Sequence, residues 1–293
     1  MPLVYIIIVN YNGYKDTIDC VNSLRKIKYD NYKIVIIDND STNDSVKKLK
    51  FYLEDCTILS MKSNLGFAGG NNFGINYALK NNAEFVLLLN NDTIVKDDFL
   101  NNMILTFIKE TNAGIVGCKI MYHKEKNRIW YGGGKIDWFK FIGIHFGMKE
   151  FDNGQCDFEK EIDFMTGCCM LIKKDVFKKV GMLPEEYFMY FEDLDFCVRV
   201  KDFGYKILYN PKSVIYHKVG LSSGGEESQF SVEWGTRNRI VFMNKYKKKV
   251  KNCRFISSQI FFYITRILKC IKYICNGKIY LAKAILKGIE DSK

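Results

Sequence analysis

The stretch Phe85-Val86-Leu87-Leu88-Leu89-Asn90-Asn91-Asp92 constrains the fold of this chain more than any other. Five apolar residues in a row, with no polar alternation, predict a central strand buried on both faces. The run then stops on two amides and a carboxylate. Ligands of open parallel sheets bind outside the carboxyl ends of the strands, so the triplet is placed to meet one, and Asp92 is its only full charge. The competing reading is a plain turn, since Asn and Asp are ordinary turn residues.

The flanking sequence repeats the pattern. Val4 to Val9 predicts a buried strand ending in the turn-rich loop Asn10-Tyr11-Asn12-Gly13, and a helix follows over 15–26. Lys33 to Ile37 predicts a second strand, ending on Asp38-Asn39-Asp40-Ser41-Thr42, a cluster able to cap a helix over 44–53. Thr57 to Met61 is a third strand, and Gly114 to Ile120 a fifth after the opening stretch. Strands alternating with helices at this spacing imply an α/β fold, a parallel sheet with crossover helices. Asn10, Asp38 and Asp92 then face one edge, where a phosphate-bearing ligand would sit. The loop Asn64 to Asn72, with glycines at 66, 69 and 70, precedes a helix to about Lys80 and offers free backbone N–H groups at its start. It matches neither the dinucleotide nor the phosphate-loop fingerprint, and a tight turn is the alternative.

The texture changes around Asp137. Trp130 to Gly134 and Trp138 to Phe146 are aromatic and glycine-rich, which suits a hairpin or flap. Ile162 to Ile172 predicts a strand whose small residues around Thr166-Gly167 permit close approach. After the aromatic run from Tyr187 come Glu192, Asp193 and Asp195, three carboxylates within four positions. Helix-start acids complementing the dipole are the bland alternative. His217, one of three histidines, is structural by default.

Composition bounds the rest. A chain of 293 residues, 47% hydrophobic and 15% aromatic, affords a sizeable core and excludes global disorder. Ten cysteines with no Cys-x-x-Cys, and a first strand that leaves no room for a targeting peptide, imply reduced thiols in a cytoplasmic protein. The net charge of +11 suggests nucleic acid until it is located. Residues 245–293 hold 13 Lys and Arg against Glu290 and Asp291, whereas residues 1–244 hold 31 basic and 31 acidic residues. The basicity belongs to a tail, and the neutral main domain offers no second basic face.

Taken in order, Val-Asn-Tyr-Asn-Gly at 9–13, Ile-Asp-Asn at 37–39, Asn64-x-Gly66-Phe67-Ala68-x-Gly70-Asn71-Asn72, Leu89-Asn90-Asn91-Asp92, Thr166-Gly167, Glu192-Asp193-x-Asp195 and Arg237-Asn238 resemble the inverting family 2 glycosyltransferases of the GT-A fold, rhamnosyltransferase-like members especially. The resemblance covers about residues 3 to 245. It implies a Rossmann-like GT-A domain over 1–245, with Asp38 recognising the nucleotide through base or ribose. Asn10, Asn12, Asn64, Gly66, Asn71 and Asn91 would line the nucleotide-sugar site, and Thr166-Gly167 would border the sugar or acceptor pocket. Asn90-Asn91-Asp92 stands at the D-x-D position, with Asp92 and His217 as ligands of Mg²⁺ or Mn²⁺. Asn90 replaces the first acid of that motif, which leaves the metal site poorer in carboxylates. Glu192-Asp193 matches the catalytic acid pair, with Asp193 the general base that deprotonates the acceptor hydroxyl. The metal, assisted by Arg237, would stabilise the departing nucleoside diphosphate. The donor sugar is rhamnose from a thymidine diphosphate or a sugar from a uridine diphosphate, and both stay open.

Residues 246–293 form the tail. Lys247-Lys248-Lys249-x-Lys251 precedes a segment from Phe255 to Cys275 whose apolar residues recur every three or four positions, which is a helix. Arg266, Lys269 and Lys272 interrupt it too often for a comfortable membrane span. A basic amphipathic helix fits an anionic bilayer surface, here the inner face of the cell membrane, where a lipid-linked acceptor would be found. The alternative is a helix packed on the catalytic domain or on a second subunit. Three other functions compete. A nucleotidyltransferase would show a basic glycine-rich loop after its first strand, where Asn10 to Gly13 stands instead. A nucleic-acid binder would leave Asp38, Asp92 and Asp193 without a purpose. A non-catalytic membrane scaffold with a decayed site fits Asn90 but not the retained Asp193 and His217.

Overall fold

The computed structural model describes residues 1–219 and 227–292. The chain begins with β1 (Val4–Asn10), α1 (Tyr14–Leu24), β2 (Tyr32–Asp38), α2 (Ser45–Tyr52) and β3 (Thr57–Ser60). It continues with α3 (Gly66–Lys80), β4 (Phe85–Leu89), β5 (Thr93–Val95), α4 (Phe99–Lys109) and β6 (Ala113–Tyr122). The middle holds β7 (Ile129–Tyr131), β8 (Gly134–Asp137), β9 (Ile142–His145), β10 (Lys160–Glu161) and β11 (Cys169–Lys173). Then come α5 (Lys174–Val180), α6 (Glu192–Asp202) and β12 (Lys206–His217), and finally α7 (Gln229–Lys245), α8 (Asn252–Cys275) and α9 (Ile279–Glu290).

Ten strands form one sheet whose main path runs β10-β12-β6-β11-β4-β1-β2-β3, with β5 pairing β12 and β7 pairing β6. The uninterrupted apolar runs lie at its centre: Ile6, Ile7, Ile8, Val86, Leu87 and Leu88 are all fully buried. β1, β2, β3 and β4 are parallel, as expected. The sheet as a whole is not. β11 runs antiparallel between β4 and β6, and β5 antiparallel to β12. The strand expected over 162–172 is confined to β11, and residues 162–168 approach it as irregular chain.

The glycine-rich stretch also differs from expectation. It is not a loop: α3 begins at Gly66 itself and carries glycines 69, 70 and 74 inside its first turns. Glycine weakens a helix, but a Cβ on Gly74 would lie 2.4 Å from Ile7 Cγ2 of β1. The missing side chains let α3 lie close against the sheet.

By its contacts the chain divides into two units. The first comprises residues 1–135, 145–188 and 192–219; the second comprises 136–144, 189–191 and the chain from 220 on. In the second unit, Val232 of α7, Tyr273 of α8 and Leu281, Ala282, Ala284 and Ile285 of α9 share one apolar core. Trp138 stacks on Phe242, and the Asn238 amide donates to the carbonyls of Met189 (2.8 Å) and Tyr190 (3.0 Å). Tyr190 and Phe191 are left-handed, at φ 71° and 74°, a backbone state non-glycine residues hold only when their surroundings impose it. None of the ten cysteines forms a disulfide.

Candidate active site

The parallel register of β1 and β2 sets Asn10 beside Asp38, and side chains extend that pairing across the sheet edge. Asn91 Nδ2 donates to Thr17 Oγ1 (3.1 Å), Thr17 Oγ1 to Asn10 Oδ1 (2.9 Å), and Asn10 Nδ2 to Asp38 Oδ2 (2.8 Å). Ser41 completes the chain, donating its hydroxyl to Asp38 Oδ2 (2.7 Å) and its N–H to Asp38 Oδ1 (3.0 Å). Asp38 is thus 1% exposed and held by three donors. Asn12, left-handed at φ 58°, accepts from the N–H of Thr42 (2.9 Å) and donates its own N–H to Ser41 Oγ (2.9 Å), tying the loops after β1 and β2 together.

Asn64 and Asn39 shape the start of α3. Asn39 Nδ2 donates to Asn64 Oδ1 (3.0 Å) and to the Gly66 carbonyl (2.9 Å), and Gly66 N–H donates to Asn64 Oδ1 (2.9 Å). The Phe67 N–H reaches the carbonyl of Phe188 (2.7 Å). The N–H groups of Gly66 and Phe67, the first two of α3, therefore have protein partners. A Cβ at Gly66, which sits at φ +69°, would lie 2.1 Å from the Phe188 carbonyl oxygen. Asn71 is buried and donates to Phe67 O (2.9 Å) within the helix.

Asp92 owes its setting to β5, a strand of three residues that local pattern did not reveal. β5 pairs Thr93 with His217 of β12, and the Lys218 N–H donates to the Asp92 carbonyl (2.9 Å). His217 Nε2 consequently lies 3.0 Å from Asp92 Oδ1, with the two side chains 8% and 5% exposed. The approach does not have hydrogen-bond geometry: Asp92 Oδ1 and His217 Nδ1 are both buried without a hydrogen-bond partner. Two donors of one octahedral ion at ~2.1 Å lie about 3 Å apart when at right angles, so this pair fits a shared divalent cation. Among the described residues no third His, Cys, Asp or Glu joins them. The remaining coordination positions would fall to a ligand's phosphates and water.

Trp130 packs edge-on between His217 (ring centroids 4.6 Å apart) and His145 (4.9 Å). Burial, together with His217 nearby, lowers the pKa of His145 to about 4, so that ring is neutral. His145 went unnoticed in the sequence because the flap offered only aromatic texture. Asn72, at the end of the motif around Gly66, ties α3 to the chain before α6, donating to Leu183 O (2.9 Å) and Glu185 Oε1 (2.8 Å).

The antiparallel placement of β11 brings Thr166-Gly167 to the end of β4, where the Asn90 N–H donates to Cys168 O (2.9 Å). Thr166 is buried, and Gly167 N–H donates to Asp193 Oδ2 (2.9 Å). The other oxygen of Asp193 accepts from Leu194 N–H (2.8 Å), at the first turn of α6. Burial nevertheless raises the Asp193 pKa, against the lowering by those backbone donors. Glu192 is 5% exposed, its Oε2 has no hydrogen-bond partner, and burial and then the Asp193 charge push its pKa well above the ordinary range. Asp195 is different in kind: fully buried, it accepts from Tyr187 OH (3.0 Å) and from Arg199 Nε (2.8 Å). Arg237 belongs to the second unit, on α7, with its guanidinium 5.3 Å from the Trp234 ring and Nη1 donating to Asn238 Oδ1 (2.6 Å).

Residues 5–181 match the family model described as Glycosyl transferase family 2. A low-salt glycan biosynthesis hexosyltransferase, Agl10 of Haloferax volcanii, is 27% identical over 98% of this chain and 91% of its own length. The dTDP-rhamnosyl transferase RfbF of Shigella flexneri is 25% identical over 75% of this chain and 70% of its own. Among solved structures, the mannosyltransferase PcManGT of Pyrobaculum calidifontis, in complex with GDP-Man and Mn²⁺, superposes with a TM-score of 0.64. It covers 100% of this chain and 88% of its own at 13% identity, a likeness of fold. The fold is GT-A, and the chain belongs to glycosyltransferase family 2, a glycosyltransferase.

Proposed function

We propose that this enzyme transfers a single sugar, rhamnose or another hexose, from a nucleoside-diphosphate donor to a glycan or lipid-linked acceptor, with inversion, in cell-surface polysaccharide synthesis. The reading places its work at the inner face of the cell membrane, with residues 1–245 as the transferase and 246–293 as a basic tail. The observation that carries it is Asp193: a carboxylate fixed through both oxygens by backbone N–H groups, beside a buried Glu192 whose Oε2 has no hydrogen-bond partner.

In this mechanism the acceptor hydroxyl oxygen attacks the anomeric carbon as Asp193 takes its proton. The bond from that carbon to the diphosphate oxygen breaks, and its electron pair leaves with the nucleoside diphosphate. One displacement inverts the anomeric configuration. Asp92 and His217 would hold a divalent cation, Mg²⁺ or Mn²⁺, which would supply charge neutralisation for the leaving diphosphate. Thr166-Gly167 border the sugar. The donor cradle is Asn10, Asn12, Asp38, Asn64, Gly66, Asn71 and Asn91. A carboxylate offers about four acceptor positions, so Asp38 retains capacity for base or ribose beside its three protein donors.

The names of the relatives support a hexosyl or rhamnosyl donor, and Mn²⁺ in the mannosyltransferase complex supports the metal. The test is thermal stabilisation by thymidine, uridine and guanosine diphosphates and their sugars, each with and without Mn²⁺, followed by analysis of the product's anomeric configuration. A nucleotide present at 100 times its Kd stabilises by ~2.7 kcal/mol. Metal-dependent stabilisation by one nucleotide, with an inverted product, is expected. Folded protein that none of them stabilises overturns the reading in favour of a scaffold.

A further inference from the structure

α8 has a sharply divided surface. Its inward side carries Ser258, Phe262 and Tyr273, all buried. Arg266, which in sequence interrupts the apolar pattern, lies on this side with its guanidinium 5.4 Å from the Phe262 ring, and burial lowers its pKa. Lys269 approaches Glu227 at 4.0 Å. Two of the three charges that interrupt the apolar pattern, Arg266 and Lys269, are thus drawn off it, and Lys272 stands exposed at its edge. What remains outward is Ile256, Ile260, Ile264, Ile267, Ile271 and Ile274, each between 51% and 59% exposed, with Leu268 at 61%. At 100° per residue these positions fill one continuous arc of the helix that contains no charged residue. Ile279 and Tyr280 at the start of α9 are likewise about half exposed, at 54% and 52%.

An apolar strip of this length is not ordinary solvent surface. Its borders identify what covers it. α8 contains no acidic residue. Exposed Lys247, Lys248, Lys249, Lys251 and Arg254 lead into the strip, exposed Lys272 flanks its far end, and exposed Lys278 follows it. We infer that the outward face of α8 docks on an anionic lipid bilayer, lying in the plane of the headgroups with the isoleucines in the acyl boundary and the lysines among the phosphates. No described helix is long and apolar enough to cross a membrane, and the buried Arg266 side fits a helix that lies on the surface. A second copy of the chain is disfavoured on the same grounds: pairing α8 with itself about a two-fold axis would bring two lysine-rich borders together. The docking goes beyond the transferase reading and holds whichever sugar is moved.

The experiment is co-sedimentation of the full chain with vesicles of phosphatidylcholine alone or mixed with phosphatidylglycerol, at low and high salt. Two variants accompany it: Ile260→Glu with Ile264→Glu and Ile267→Glu, and Lys247→Glu with Lys248→Glu and Lys249→Glu. All six positions are exposed, so the fold should survive, and circular dichroism with nucleotide stabilisation in vesicle-free solution confirms that it has. Wild type is expected to partition onto anionic vesicles at least tenfold better than onto neutral ones. The isoleucine variant should lose that binding at all salt concentrations, and the lysine variant should lose its salt-sensitive part. Wild type that stays in solution with anionic vesicles overturns the inference, as does an isoleucine variant that sediments like wild type. A wild-type dimer that the isoleucine variant converts to monomer, with no vesicle binding by either, assigns the face to a second copy instead.

Discussion

Asp38 and Asp92 stand at the ends of parallel strands in one sheet and are almost equally buried, at 1% and 4% exposed, yet their surroundings are opposites. Asp38 is held by Asn10 and by both donors of Ser41. Asp92 faces His217 with its Oδ1 lacking any hydrogen bond, and Glu192 of α6 likewise keeps an unpartnered oxygen. Burying a polar atom without a partner costs ~1–3 kcal/mol, so such atoms persist where something else repays the cost. The satisfied edge therefore reads as scaffold, and in the proposed mechanism the unsatisfied atoms are where cation and proton would be handled.

Substitutions can break that contrast. The largest effect is expected from Asp193→Asn, which removes the base and should lower the transfer rate ~10²–10⁴-fold with donor binding retained in calorimetry. The acid limb of the wild-type rate should lie above the ordinary carboxylate range, because burial raises the Asp193 pKa and activity falls as pH drops through it. Asp92→Ala should cost ~10²–10³-fold in rate and abolish the metal dependence of nucleotide binding, while leaving the melting temperature unchanged or higher. Asp38→Ala should do the reverse in emphasis: loss of stability by ~1–3 kcal/mol in denaturant titration, as Asn10 and Ser41 lose their acceptor. If Asp92→Ala destabilises as much as Asp38→Ala, the contrast fails. The smallest effect concerns Glu192. Its folded pKa is raised, so the native state binds the proton more tightly than the unfolded chain, and stability falls as pH climbs from the unfolded pKa towards the folded one. Glu192→Gln removes that decline. Its melting temperature should match wild type in acid and exceed it at pH 8.

Where a local pattern carried a global meaning, the sequence was legible. The apolar runs of β1, β2 and β4 marked buried parallel strands, and their polar ends marked one edge. Strand direction has no local signature, which is why β11 entered the reading as a strand but not as the antiparallel neighbour of β4. β5 is three residues long and left no periodicity to detect, yet it sets Asp92 beside His217. The glycines of α3 argued for a loop because the intrinsic cost of glycine in a helix is local, whereas the packing on Ile7 that offsets it is not. Arg266 argued rightly against a membrane span but did not disclose the side of α8 it takes. A charge on a helix says nothing about which face it takes until the neighbouring helices are in place.

The position of β11 also governs how the chain can be made. The parallel half of the sheet, β1 to β4, is complete in sequence by Leu89, but β4 gains its second neighbour only when Cys169–Lys173 arrives, about 80 residues later. At ribosomal rates of ~5–20 residues per second, that leaves an edge of Phe85–Leu89 unpaired for roughly 4–16 seconds. An unpaired apolar edge is a template for pairing with another chain. The nascent protein thus passes through an interval of vulnerability in the strand that leads to Asp92, and a chain cut before residue 169 never leaves it.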